Sequence, residues 1–307
     1  MCAERVRNFL RAQLELEDEV SRSITLQNFH NNAKTIEIDG ETLYKLEGDL
    51  LLDQDQLELY ALQREASQRE HNMGLGAGTL TGGLGIAPMT VQPNLSASAL
   101  IGITRGGKIV RWKEGLVLSY CVLRGTFPDQ QEYDLVCDNM KKATEDWQQT
   151  CGITFQYRND LDGSPGVENP GVIFTVRGIN AGGTFIAAAF FPDDPVNRRR
   201  VLIDPSYFDP NLGFDKVGVL RHELGHVLGF RHEHISSGAP PACPDEPLGD
   251  TIKLTEYDPQ SVMHYFCGGV GSPELAITEL DREGSQKVYG PPFNTFHLVE
   301  NAFHLVD

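Results

Sequence analysis

Apolar and polar residues alternate with a period of two in some stretches of the chain and with a period of three to four in others, which separates strands from helices. Val6, Phe9, Leu10 and Leu14 stand at i, i+3, i+4 and i+8 in an otherwise polar beginning, predicting an amphipathic helix within residues 1–30. TIEIDGETLYKL alternates on both sides of Asp39-Gly40, a dipeptide that accepts the positive φ angles of a type I′ turn, so a hairpin is predicted there. LEGDLLLD follows, and residues 54–70 return to a helical pattern.

From His71 to Lys108 the composition shifts to Gly, Ser, Thr and Pro, as in GLGAGTLTGGLGIAP. No strand precedes this run, and it satisfies neither G-x-G-x-x-G nor G-x-x-x-x-G-K-[ST], so a flexible connector is the reading and the boundary between two parts is set at about residue 105. Beyond it, GLVLSYCVL reads as a strand and DQQEYDLVCDNMKKATEDWQQT as a helix striped by Val136, Met140, Ala143 and Trp147. ITFQY, GVIFTV, GGTFIAAAFF and RRRVLID read as further strands, and strand, helix, strand in that order implies a right-handed crossover with partly parallel pairing. GFDKVGVLRHELGHVLG is the next helix, with Asp215 as N-cap and Gly229 as its stop.

With 307 residues, 40% of them hydrophobic, the chain can build one large domain and a smaller appendage. Its formal net charge is −17, with nine basic against 15 acidic residues through Arg105 and 17 against 28 after it. Both parts repel phosphate backbones and anionic lipid, which argues against nucleic acid and membrane surfaces as partners. No apolar run reaches the roughly 18 residues of a membrane span, and MCAERVRNFL has no signal-peptide core. The six cysteines contain no CxxC pair, so a cysteine zinc site or a thioredoxin-like redox motif is not indicated.

The chemistry concentrates in HELGHVLGFRHEH, residues 222–234, which holds four of the nine histidines. On a helix His222 and His226 are i and i+4, so both imidazoles leave one face a turn apart and can share one ion. Glu223 stands beside the first of them, where its carboxylate reaches a water at the ion without being a ligand. Gly229 lets the backbone leave the helix in a left-handed conformation, and His232 can return as a third ligand. Three histidines around a tetrahedral ion leave one open position, which means catalysis rather than scaffolding.

HELGHVLGFRHEH together with SVMHY at 261–265 resembles the metzincin metallopeptidases, and Glu233 after the third histidine with Tyr265 two places after Met263 is similar to the astacin family. RWKEGLVLSY, ATEDWQQTCGITFQ, LTEYDPQSVMHY and ITELDREGSQKVYG extend the resemblance over roughly residues 103–290. It implies an α+β catalytic domain over 106–307, with a twisted mixed sheet, two long helices and a Met-turn, preceded by a propeptide with its connector at 71–105. The implied activity is a latent zinc endopeptidase acting on proteins or peptides, one Zn2+ per chain, held by His222, His226 and His232. Glu223 is then the general base, Met263 the floor under the metal, and Tyr265 a resting ligand that swings to the tetrahedral intermediate. Glu233 meets the new N-terminus after processing, whereas His234 and His264 have no metal role.

LEGDLLL, residues 46–52, resembles the FEGDI-type motif by which astacin propeptides set an aspartate on the zinc, here Asp49, with Leu46 in place of the usual phenylalanine. The other reading of Asp49 is a solvated turn residue. The propeptide would inhibit its own chain until an activating protease or self-cleavage cuts the connector, a site after Arg105 being one candidate. Substrate would lie along GGTFIAAAF, residues 182–190, if that is an edge strand rather than an internal one. The family's partner for Cys151 is missing, so it pairs with Cys121 or Cys137 or stays unpaired, and Cys243 with Cys267 can close the Met-turn loop. Secretion is expected. The alternative is a catalytically silent binding protein on the same fold, and it would be expected to have changed Glu223 or a histidine.

Overall fold

The computed structural model describes residues 33–45, 48–62, 98–163, 171–235, 239–243 and 250–293. The helix expected within 1–30, the second half of the one expected at 54–70, Leu46 and the connector up to residue 97 lie outside the described residues. The architecture is mixed α/β. Strand β1 (Lys34–Ile38) pairs antiparallel with β2 (Glu41–Lys45), and β3 (Leu51–Leu52) adds to β2. Asp39 and Gly40 carry φ of 57° and 79° between β1 and β2, the two positive angles a type I′ turn demands. A helix over 54–62 follows, its first turn tied down where Asp53 accepts from the Gln56 amide at 2.7 Å.

The main sheet has five strands, in the order β7 (Thr154–Tyr157), β6 (Val117–Val122), β8 (Phe174–Gly178), β10 (Arg200–Ile203), β9 (Ala187–Ala188). The first four are mutually parallel, and β9 closes the edge antiparallel. The 182–190 stretch is therefore at an edge, but only two of its residues are strand, because Gly182 and Gly183 turn the chain at φ of 62° and 71°. Alternation along the strands divides the sheet between two clusters: Val201 and Ile203 point into the main core, Leu202 to the opposite face.

The long helix Gln130–Thr150 covers the core face, capped where Asp129 accepts from the Glu132 amide at 2.9 Å. Its stripe is as the sequence predicts, with Val136, Met140, Ala143 and Trp147 all inaccessible to solvent. The second helix, Lys216–Val227, packs against it, and the Trp147 indole donates to the Arg221 carbonyl at 2.9 Å. A third helix, Glu279–Tyr289, closes the far side behind a capping box of Thr278 and Asp281.

The connector's end differs from expectation. Ser98–Arg105 is not linker but strand β4, the centre of a second sheet in which it pairs antiparallel with β11 (Phe230–Arg231) and with β12 (Thr251–Glu256), while β5 (Lys108–Ile109) folds back on it. Leu100, Ile101 and Ile103 are buried there, and this burial decides the strand against the Gly- and Ser-rich composition just upstream. Ser98–Arg105 is thus held on both sides, where the composition places the end of the connector.

Candidate metal centre

His222 and His226 leave the helix one turn apart, and both rings are locked by backbone carbonyls. His222 Nδ1 lies 2.7 Å from the Val262 carbonyl and His226 Nδ1 2.8 Å from that of Phe230. Hydrogen bonds there put the proton on Nδ1 and leave the Nε2 lone pairs facing the centre, the usual arrangement of metal-binding imidazoles. Between the two, Gly225 is required by close approach: a Cβ would stand 2.2 Å from Met263 Sδ. Met263 is fully buried beneath the helix, and its carbonyl accepts from the Glu233 amide at 2.8 Å.

The return of His232 is a backbone construction. Gly229 adopts φ of 92°, donates to the His226 carbonyl at 2.8 Å and ends the helix, after which β11 runs antiparallel to β4. His232 follows directly, with Nε2 3.1 Å from His226 Nε2. Strand β4, which the composition hides, therefore sets the third histidine.

Asp49 completes the group. Its Oδ2 is 3.3 Å from His222 Nε2, and its Oδ1 is 3.1 Å from His232 Nε2 and 3.7 Å from His226 Nε2. The solvated-turn reading is thus excluded: the carboxylate is buried among the histidines. Ligands about 2.1 Å from a tetrahedral zinc stand roughly 3.4 Å from one another. The four side chains match that spacing, and the buried His222 Nε2 and Asp49 Oδ1 have no hydrogen-bond partner among the described residues. They form a buried three-histidine, one-aspartate group that can hold a metal ion, consistent with zinc.

Around it, Glu223 is 2% exposed, and burial followed by the charge of Asp49 raises its carboxyl well above the usual range. The Tyr265 ring lies 4.3 Å from that of His232 and stacks on His234 at 4.5 Å. Gly48, at φ of 67°, passes so close that a Cβ would stand 1.9 Å from the Tyr265 hydroxyl oxygen. A cavity of about 580 Å3 opens beside these groups, lined by Asp49, Phe185, Ile186, Glu223 and Tyr265. Glu233 is fully buried and accepts from the Asp258 amide at 3.2 Å; burial pushes its carboxyl up to about 10. His234 and His264 are buried packing residues, His264 Nε2 lying 2.7 Å from the Tyr257 hydroxyl.

Two supports escaped the sequence reading. Asp281 accepts from Ser261 Oγ at 2.6 Å and from the Val262 amide at 2.8 Å, so it holds the loop whose carbonyl aims His222. Nothing in residue order signals the reach of Asp281 across 19 residues. Arg177, Arg198 and Arg200, which pair with Asp39 and Asp53 of the segment that carries Asp49, are the other. Cys243 and Cys267 form the disulfide that closes this loop, whereas Cys151 is in no disulfide among the described residues. No described helix is long and apolar enough to cross a membrane.

No family model and no curated protein matches the chain. Among solved structures it is similar to that of myroilysin, at 17% identity and a TM-score of 0.42, over 58% of this chain and 95% of that one.

Proposed function

We propose that the chain is a latent zinc endopeptidase of the metzincin type, similar to the astacins, which hydrolyses peptide bonds of proteins and is silenced by residues up to the connector. The observation that carries the reading is the convergence of His222, His226 and His232 on one point, with Glu223 beside them and a cavity in front. Zinc held there supplies Lewis-acid polarisation of the scissile carbonyl and of the attacking water.

Glu223 takes the proton of that water and hands it to the leaving amine, a role suited to a buried carboxylate that stands next to the first histidine and lines the cavity. The Tyr265 hydroxyl donates to the oxygen of the tetrahedral intermediate. Substrate lies extended beside β9, held by main-chain hydrogen bonds at the open edge of the sheet. In the uncut chain Asp49 fills the fourth ligand position, and Lys45 Nζ donates to the Thr184 carbonyl along the same edge. Because Asp49 is tethered, its effective concentration reaches about the millimolar range and it displaces both water and substrate.

Cleavage within 63–97 would free the segment and leave β4 in its sheet. The buried Glu233 Oε2, which has no hydrogen-bond partner among the described residues, then has a place for the new amino terminus. The Cys243–Cys267 disulfide suits an oxidising, extracytoplasmic setting. Glu223→Gln, in protein cut in the connector, is the test: zinc content stays at one per chain while peptide hydrolysis falls by about 10²- to 10⁴-fold. Near-normal turnover in that variant defeats the mechanism.

A further inference from the structure

The sheet face opposite the helices carries two buried arginines, and the turn before β10 adds a third, Arg198. Arg200 and Leu202 lie on that face of β10, and Arg177 of β8 stands opposite Leu202 in register. What buries them is the N-terminal hairpin: Ile38 and Leu43 pack on Ala181, Phe185, Ala188 and Leu202. Its turn then meets the arginines. Arg177 donates to Asp39 Oδ2 at 2.7 Å, Arg200 donates to the same oxygen at 3.1 Å, and Arg200 lies 3.6 Å from Glu41 Oε2. Arg198 pairs with Asp53 of the segment and with Asp194 of its own loop.

The three side chains are only 6–7% exposed. Among the described residues, every ion pair of Arg177 and Arg200 is with the segment, and Arg177 Nε and one terminal nitrogen of Arg200 still lack a hydrogen-bond partner. The cluster also stands against the sign of the chain beyond Arg105, where 28 acidic residues face 17 basic ones. A cluster of planar guanidinium forks, repelling one another and set in an apolar rim, has the chemistry of carboxylate recognition on a peptide. From there β2 leads to the cavity, which Lys45, Gly48 and Asp49 line, so one extended polypeptide reaches both places. Glu41 and Asp39 precede Asp49 by eight and ten residues, a contour of roughly 26 to 33 Å.

We propose that this face is a docking surface for acidic, β-forming polypeptide: Asp39, Glu41 and Asp53 occupy it in the uncut chain, and once the connector is cut an acidic stretch of a protein substrate, eight to ten residues from the scissile bond, takes their place. The second half rests on the peptidase reading above, but the docking itself does not.

The test begins on the full uncut chain with Asp39→Asn and Glu41→Lys, asparagine being chosen because it tolerates the positive φ at 39. Hydrogen exchange of the amides within 35–44 rises by about tenfold or more as the hairpin loses its hold; unchanged exchange overturns the proposal. A fluorescent peptide of sequence KTIEIDGETLYK is then added to this variant and to wild type. Saturable, salt-sensitive binding is expected only to the variant, and none for KTIEINGKTLYK; equal binding of the two peptides to the unaltered arginine face also overturns it. Arg177→Gln with Arg200→Gln, checked by thermal melting, abolishes binding of the first peptide. Finally, connector-cut protein receives two substrates with one scissile sequence and either an acidic or a neutral tail eight to ten residues away. The acidic tail lowers KM by about 5- to 30-fold with kcat unchanged, as uniform binding requires; equal KM values remove the substrate role. Peptide binding without any hydrolysis would defeat the peptidase reading and leave the docking surface standing.

Discussion

The three histidines and the aspartate that meets them are held by very different amounts of structure. His222 and His226 sit on a helix whose underside is Trp147, Leu220, Leu224 and Met263 in the main core, and each ring is pinned by a carbonyl. Asp49 hangs from a three-stranded sheet and one helix that contribute two small clusters, one of them built on Leu52, Leu57 and Tyr60. Its other anchors include hydrogen bonds from Lys45 and Gln56 and ion pairs whose carboxylates are about a third exposed, such as Asp39 at 36% and Glu41 at 35%. Dense packing holds the three histidines, and sparser packing holds the aspartate. The proposed latent peptidase requires that asymmetry, because an inhibitory aspartate has to leave without taking the metal site with it.

The comparison breaks at its strong side first. His232→Ala removes one of the three packed ligands and is expected to lower zinc affinity by more than the roughly 10- to 100-fold of outer-shell changes. Dialysis against a competing chelator followed by metal analysis reads this, and full zinc retention would mean the three histidines are not the permanent set. At the weak side, Asp49→Ala in a full-length chain with an uncleavable connector should keep zinc. Its peptidase activity should rise over uncut wild type by about tenfold or more, the effective-concentration advantage of a tethered ligand being lost. Equal rates in the two uncleavable proteins would refute the aspartate latch.

Two smaller effects sharpen the contrast. Cys243→Ser opens a loop of sequence separation 24 around the Met-turn and should cost about 3 kcal/mol of stability by chain entropy, read as a lower Tm of the whole body. Gly48→Ala places a methyl on the Tyr265 hydroxyl and strains a positive φ, for a cost of about 1–3 kcal/mol. That cost should fall on the segment alone, raising exchange near residue 48 and the activity of uncut protein while leaving Tm of the body nearly unchanged. A Tm drop as large as that of Cys243→Ser would show that segment and body melt as one unit.

What could be read from residue order was whatever depends on near neighbours. A helix repeats every 3.6 residues, so His222 and His226 had to share a face, and Asp215 and Gly229 marked its ends. Asp39-Gly40 had to turn, because few other dipeptides accept two positive φ angles. Asp49 was named only through a likeness of motif, since nothing local distinguishes it from a solvated turn. The tertiary structure decided the rest: that Ser98–Arg105 is a strand, that this strand carries β11 and with it His232, that Asp281 reaches back to the Met-turn, and that Arg177 and Arg200 share the Asp39 carboxylate across more than a hundred residues. The physical reason is the same in each case. Periodicity reports which side of an element is apolar, but which distant element covers that side, and which charge it brings, is settled only by the burial and pairing available when the whole chain packs.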